Sequence, residues 1–251
     1  MLKKKSNYGR RSQFSVDNYE KNKVYDSLQL NDEISLFNNN AKIEDILLEF
    51  VDFDDTLFPN TELQKISDIK KTKFFETDYP EHILKRIKNL EKTVIDFITL
   101  ANLKGKLYIL TAANESWVKS CIEIFYPKIH QYHRDKYIIK SARDDFGHAS
   151  EDPTEWKRLS IINELKMGIR TYIMSIGDSY YEANASSKIH QDRSKIVSYE
   201  QPADIYIFKT KDLPNIEQLM KQLNFIINNF DRLIHEYEFD TVQHIVIKKK
   251  K

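Results

Sequence analysis

Asp52 and Asp54 alternate with Phe53 at the end of the apolar run Leu47-Leu48-Glu49-Phe50-Val51. On an extended chain, side chains two apart point the same way, so the two carboxylates face one ligand together. The run is too short for a helix and apolar enough for a buried strand; Asp55, Thr56 and the turn marker Pro59 follow it. Paired carboxylates at a strand end suggest a division of labour. One can attack phosphorus as a nucleophile, while the other protonates the leaving oxygen and then activates water. Their like charges need neutralising, and magnesium suits this because it takes oxygen ligands from one or two carboxylates plus a substrate phosphate. Taken alone, the same acids would equally serve a solvated turn, so the elements around them must decide.

Those elements alternate between helix and strand. Ile83, Leu84, Ile87, Leu90, Val94 and Ile98 mark one face of a long helix that Gly105 can terminate. Leu107 to Leu110 reads as a second strand ending at Thr111, and Asn114 as the cap of a helix whose inner face is Val118, Cys121, Ile122 and Phe125, with Pro127 near its end. Tyr137 to Ile139 is a third strand, running into Ser141-Ala142-Arg143. Asp152-Pro153-Thr154-Glu155 carries the signature of a capping box, and Trp156, Leu159, Ile162 and Leu165 continue that helix towards Gly168. Tyr172 to Ile176 is a fourth strand ending in Gly177-Asp178, a helix covers Tyr181 to Ile189, and Ile205 to Phe208 is a fifth strand. The last helix opens at Pro214 and carries Ile216, Leu219, Met220, Leu223, Ile227 and Phe230.

Short strands separated by helices predict an α/β fold, a Rossmann-like three-layer sandwich around a mostly parallel five-stranded sheet. The intervals from Pro59 to Glu81 and from Ala112 to Trp156 leave little or no room for a cap domain, so the crevice would be open to a bulky phosphorylated substrate. Residues 1–42 read as a flexible polar and basic arm, 43–240 as the folded domain and 241–251 as a basic tail. At 251 residues with 41% hydrophobic and 31% charged content, the chain can bury a sizeable core. Its net charge of +1 gives no whole-chain field that would indicate nucleic acid. No apolar run approaches a membrane span, Met1 to Tyr8 lacks the apolar continuation of a secretory signal, and Cys121 has no partner for an internal disulfide. The expectation is a cytoplasmic protein without membrane contact.

Three polar signals fall at predicted strand ends: Asp52 with Asp54, Thr111, and Asp178 followed by Glu182. A parallel sheet brings such ends into one crevice. The ordered set Asp52-x-Asp54-x-Thr56, then Thr111, then Lys157 near a helix start, then Gly177-Asp178-x-x-x-Glu182 resembles the haloacid dehalogenase-like superfamily, in its phosphatase-type members. The resemblance covers about residues 46 to 210. Ser141-Ala142-Arg143-Asp144, Pro153 to Lys157 and Gly177-Asp178-Ser179 look like a poorly characterised eukaryotic and viral group within it, one that supplies no substrate.

The resemblance implies a magnesium-dependent phosphohydrolase acting through an aspartyl-phosphate. Asp52 would be nucleophile and metal ligand, and Asp54 the general acid and base with its backbone carbonyl on the metal. Thr111 would bind a phosphoryl oxygen, Lys157 would offset charge on phosphate and Asp52, and Asp178 would complete the metal site with Glu182 in support. Many relatives carry aspartate where this chain has Glu182, and the longer arm changes its approach to the metal. Arg143 and Arg158 are rivals of Lys157 for the cationic role. Two other readings stay open: a catalytically idle phosphate-binding or scaffold protein on the same fold, and a phosphotransferase.

Overall fold

Strand β2 (Ile46–Val51) is apolar on both faces because both are covered: Leu48 and Phe50 enter one core, Val51 the other. The computed structural model describes residues 14–15, 46–165, 171–191, 205–235 and 243–246. Gly168, most of the 1–42 arm and the Lys248 to Lys251 run lie outside them. The other strands are β1 (Phe14–Ser15), β3 (Lys106–Thr111), β4 (Ile138–Ser141), β5 (Thr171–Gly177), β6 (Ile205–Lys209) and β7 (Gln243–Val246). The helices are α1 (Asn60–Lys70), α2 (Glu81–Lys104), α3 (Glu115–Phe125), α4 (Pro127–Tyr132), α5 (Ala142–Phe146), α6 (Pro153–Glu164), α7 (Tyr180–Gln191) and α8 (Ile216–His235), with a 3-10 turn at Phe74–Glu76.

All strand pairs are parallel, and the order is β1-β7-β6-β5-β2-β3-β4. The five strands expected from the sequence form the continuous block β6 to β4. The short strands β1 and β7 extend it, and they fall in the stretches assigned to the arm and the tail. The chain winds outward from β2 through β3 to β4, then returns to the other side of β2 with β5 and β6. Adjacent β2 and β5 therefore diverge in their connections, which opens a crevice at their carboxyl ends.

The alternation of the strands divides the interior. One core packs Val51, Ile109, Met174, Ile176 and Phe208 under α2, α3, α4 and α8; the other packs Phe50, Tyr108, Leu110, Ile173 and Ile207 under α5, α6 and α7. The interval from Pro59 to Glu81 folds as α1 and the 3-10 turn, and Leu63 and Phe74 join the first core, so it makes no separate domain. Among the described residues, no helix is long and apolar enough to cross a membrane.

Several helix boundaries differ in mechanism from the sequence expectation. Gly105 ends α2 in extended backbone (φ −164°), not in a left-handed cap. It is needed for close approach, since a Cβ there would lie 2.4 Å from the Leu47 carbonyl oxygen. Asn114 starts α3 without a side-chain cap; the carboxylate of Asp144 instead accepts the Glu115 N–H at 3.1 Å. Pro127 opens the separate helix α4, whose Lys128 N–H is taken by buried Glu91 at 2.6 Å. The expected capping box of α6 is half formed: Asp152 accepts the Thr154 N–H at 2.8 Å, while Glu155 pairs with Lys188 at 2.7 Å and Arg158 at 2.8 Å.

Glu49 violates the pattern of its own strand. Alternation puts it beside Val51 in the first core, where it is fully buried and neither carboxylate oxygen has a hydrogen-bond partner among the described residues. Burial pushes its carboxyl from the ordinary 4.5 up to about 8. The folded chain then binds a proton that the unfolded chain has lost, so this contribution to stability is full below pH 4.5 and lost as the pH rises through about 8. Glu49→Met, which fills the space without charge, is expected to remove a pH-dependent loss of roughly 5 kcal/mol across that window. Denaturant unfolding of both proteins at several pH values checks this; parallel curves would show that Glu49 ionises in the fold without penalty.

Candidate active site

After β2 the chain makes a sharp turn that the sequence prepares. Asp52 continues the ladder, donating its N–H to the Ile176 carbonyl at 2.9 Å. Asp55 then adopts the left-handed region (φ 56°), which aspartate tolerates better than bulkier residues. Its carboxylate is fastened by the Thr61 N–H at 2.9 Å and the Thr61 hydroxyl at 2.5 Å, and its own N–H reaches the Phe58 carbonyl at 2.7 Å. The Thr56 hydroxyl accepts the Asp178 N–H at 3.1 Å, tying this turn to the end of β5. Asp52, Asp54 and Asp178 thus gather at the crevice between β2 and β5.

Lys157 reaches this point from α6. Its ammonium, 2% exposed, donates to Asp52 Oδ1 at 2.6 Å and also to Glu182 Oε1. Glu182 is further held through Oε2, which takes the Ser179 N–H at 3.2 Å and the Ser179 hydroxyl. Gly177 makes room for it: a Cβ there would lie 2.4 Å from Glu182 Cγ. Of the rival cations, Arg158 is paired with Glu155 on the helix surface.

Burial alone would lower the pKa of the Lys157 ammonium, but the charges of Asp52 and Glu182 and their hydrogen bonds outweigh it and hold it above its ordinary value. The two carboxylates do not share that benefit equally. Burial disfavours charge on Glu182, yet Lys157 and the Ser179 hydroxyl bring its carboxyl below the usual value. Asp52 is pushed up by burial, with Lys157 opposing and the neighbouring charges of Glu182 and Asp54 adding. Asp178 rises to about 7, chiefly through burial and then through Glu182 and Asp55.

Asp54 is held from the side of α3. The Trp117 indole N–H donates to its Oδ1 at 3.0 Å. Burial raises the Asp54 carboxyl and the Trp117 hydrogen bond opposes this. Thr111 lies buried at the end of β3, where its hydroxyl oxygen accepts the Ala113 N–H at 2.9 Å. Ser141 at the end of β4 donates to the Ala113 carbonyl at 2.8 Å, which secures the same loop.

The arrangement gathers Asp52, Asp54, Asp55, Asp178 and Glu182; among the described residues Lys157 and Lys209 are its buried ammonium groups, and Lys65 acts on Asp55 from nearer the surface. Lys157 engages Asp52 through Oδ1, and Asp52 and Asp178 are hard oxygen donors of the kind that could hold a magnesium ion. Both oxygens of Glu182 are engaged, Oε1 by Lys157 and Oε2 by Ser179. Among the described residues, no group of three or more His, Cys, Asp or Glu stands ready-made as a metal cage.

Three participants escaped sequence reasoning. Trp117 sits beside the inner-face pattern of α3 and carries no sequence mark of its contact with Asp54. Ser179 follows the Gly177-Asp178 motif directly and serves Glu182. Lys209 ends β6, where a charge after an apolar run was a readable signal; its ammonium donates to the carbonyls of Asp178 and Thr210 and to Asp212, and lies 4.9 Å from the Tyr180 ring centroid. No protein-family model, no curated protein and no solved structure matches the chain.

Lys157 is the test of this electrostatic design. Lys157→Met keeps the side chain's length but leaves two buried carboxylates without their cation, and is expected to cost roughly 3–5 kcal/mol of stability near neutral pH. The loss should shrink as the pH falls, because Asp52 and Glu182 then fold as neutral acids. Denaturant unfolding at two pH values measures both effects; a cost below about 1 kcal/mol at neutral pH would remove Lys157 from this role.

Proposed function

We propose that this chain is a magnesium-dependent phosphohydrolase of the haloacid dehalogenase-like type, acting on phosphomonoesters through an aspartyl-phosphate. The observation that carries the reading is the separation of Asp52 and Asp54 into different surroundings at one strand end. Asp52 is hydrogen-bonded to the Lys157 ammonium, whereas the side-chain donor to Asp54 among the described residues is the neutral Trp117 indole. Two carboxylates with environments this different suit a nucleophile and a proton donor.

In this mechanism Asp52 Oδ2 attacks phosphorus in line with the ester oxygen. Asp54, its Oδ1 occupied by Trp117, gives the proton on Oδ2 to the departing oxygen, so the alcohol leaves neutral and the phosphoryl group stays on Asp52. Asp54, now a carboxylate, takes a proton from a water that attacks the phosphoryl-aspartate, which releases phosphate and restores both acids. The Thr111 hydroxyl would donate to a phosphoryl oxygen, and Lys157 would balance charge on the transferring group. A magnesium ion held by Asp52, Asp178 and the Asp54 carbonyl would supply charge neutralisation and alignment of the phosphate.

Phosphate release from aryl and alkyl phosphates, with and without magnesium, tests the reading. Asp52→Asn should abolish turnover of every ester, since an amide cannot form the acyl phosphate. Asp54→Asn should slow alkyl phosphates by roughly 10²–10⁴ but activated aryl phosphates far less, because a good leaving group departs without a proton. Turnover surviving in Asp52→Asn, or equal dependence on leaving-group acidity in wild type and Asp54→Asn, would overturn these assignments.

A further inference from the structure

The side of the site that would meet the leaving group is aromatic. Trp117 is fixed to Asp54 by its indole N–H at 3.0 Å, and its ring lies 5.1 Å from that of Phe75, centroid to centroid, and 4.9 Å from that of Phe74. Phe74 is buried and anchors the 3-10 turn against Phe58, Tyr79 and Phe125. Phe75 is different: it is 41% exposed and packs against both Phe74 and Trp117, the three rings forming a triangle. A large apolar ring that packs on Trp117, the partner of Asp54, and is still exposed offers a face for contact.

We infer that Phe75 and Trp117 form a platform for the leaving group, and that the substrate is an aryl phosphate, an ester whose bridging oxygen is attached directly to an aromatic ring. The inference rests on the phosphohydrolase reading, which sets the bridging oxygen against Asp54. A ring attached to that oxygen falls one bond beyond the acid, where Trp117 already touches it. A sugar or an aliphatic chain at the same place brings no π face to meet the two rings, and a nucleobase stands several bonds farther out. Offset or edge-to-face contact with such a ring adds selectivity beyond the area buried. Phenolic esters and phosphotyrosine share this chemistry.

The experiment compares kcat/KM for phenyl phosphate, a phosphotyrosyl peptide and an alkyl phosphate of matched leaving-group acidity, in wild type, Phe75→Leu and Phe75→Tyr. Thermal unfolding confirms that each variant folds. The aryl-to-alkyl ratio should fall about three- to tenfold in Phe75→Leu and return in Phe75→Tyr, as the aromatic face and not the apolar area sets it. The same pattern with the peptide assigns phosphotyrosine; turnover of phenyl phosphate alone assigns free aryl esters. A ratio unmoved by Phe75→Leu, with turnover intact, overturns the platform and leaves the hydrolase reading standing. If no ester is turned over, the hydrolase reading fails, and calorimetric binding of phenylphosphonate against methylphosphonate decides the platform: a phenyl preference lost in Phe75→Leu supports it, and no preference overturns it.

Discussion

One buried ammonium makes the rest of the site consistent. Lys157 joins α6 to the end of β2 through Asp52 and to α7 through Glu182, so three elements of the fold meet on a single charge. A charged lysine so buried is tolerable only with partners that outweigh its desolvation, and a glutamate so buried stays ionised only with donors to its oxygens, which Glu182 has and Glu49 lacks. The demands are mutual. Gly177 must lack a side chain to admit Glu182, and Ser179 must supply the second set of donors.

The opposite flank of Asp52 and Asp54 is organised by shape instead of charge. Phe53 stacks on Phe58 at 5.2 Å, Phe58 meets Phe125 and Tyr126, and the Tyr126 hydroxyl donates to the Leu57 carbonyl at 2.8 Å. This packing holds the turn after β2 against α3 and makes the left-handed Asp55 sustainable. The two carboxylates therefore stand at a boundary, with an ionic wall behind one and an aromatic wall beside the other. The proposed division of roles follows from that boundary more than from the acids themselves.

The sheet was largely legible because its strands are short, apolar on both faces and separated by periodic helices. Asp52, Asp54, Thr111 and Asp178 were readable for the same reason, as polar residues that close apolar runs. What the sequence could not display were the contacts made across the fold. Nothing local marks Trp117 as a donor to Asp54, since that hydrogen bond depends on how α3 packs against the turn. Nothing local marks the bonds of Glu182 to Lys157 and Ser179 either, since the lysine comes from another helix. Glu49 misleads in the other direction: it sits within an apolar strand as if harmless, and only its burial shows the cost. The strands β1 and β7 were missed because neither stretch carries an apolar run long enough to read as a strand.

The sheet order also bears on the sequence of events as the chain emerges during synthesis. Residues up to the end of β4 hold one half of the sheet, with β2 at its margin and Asp52 and Asp54 beside it. The cation for Asp52 belongs to α6, and the strand that covers the bare margin of β2 is β5, so both arrive only with the later half. A chain arrested between the halves carries an open strand edge next to two acids without their lysine. Docking of β5 and α6 relieves both faults together. The chemical centre is thereby also the seam at which the two halves of the sheet meet.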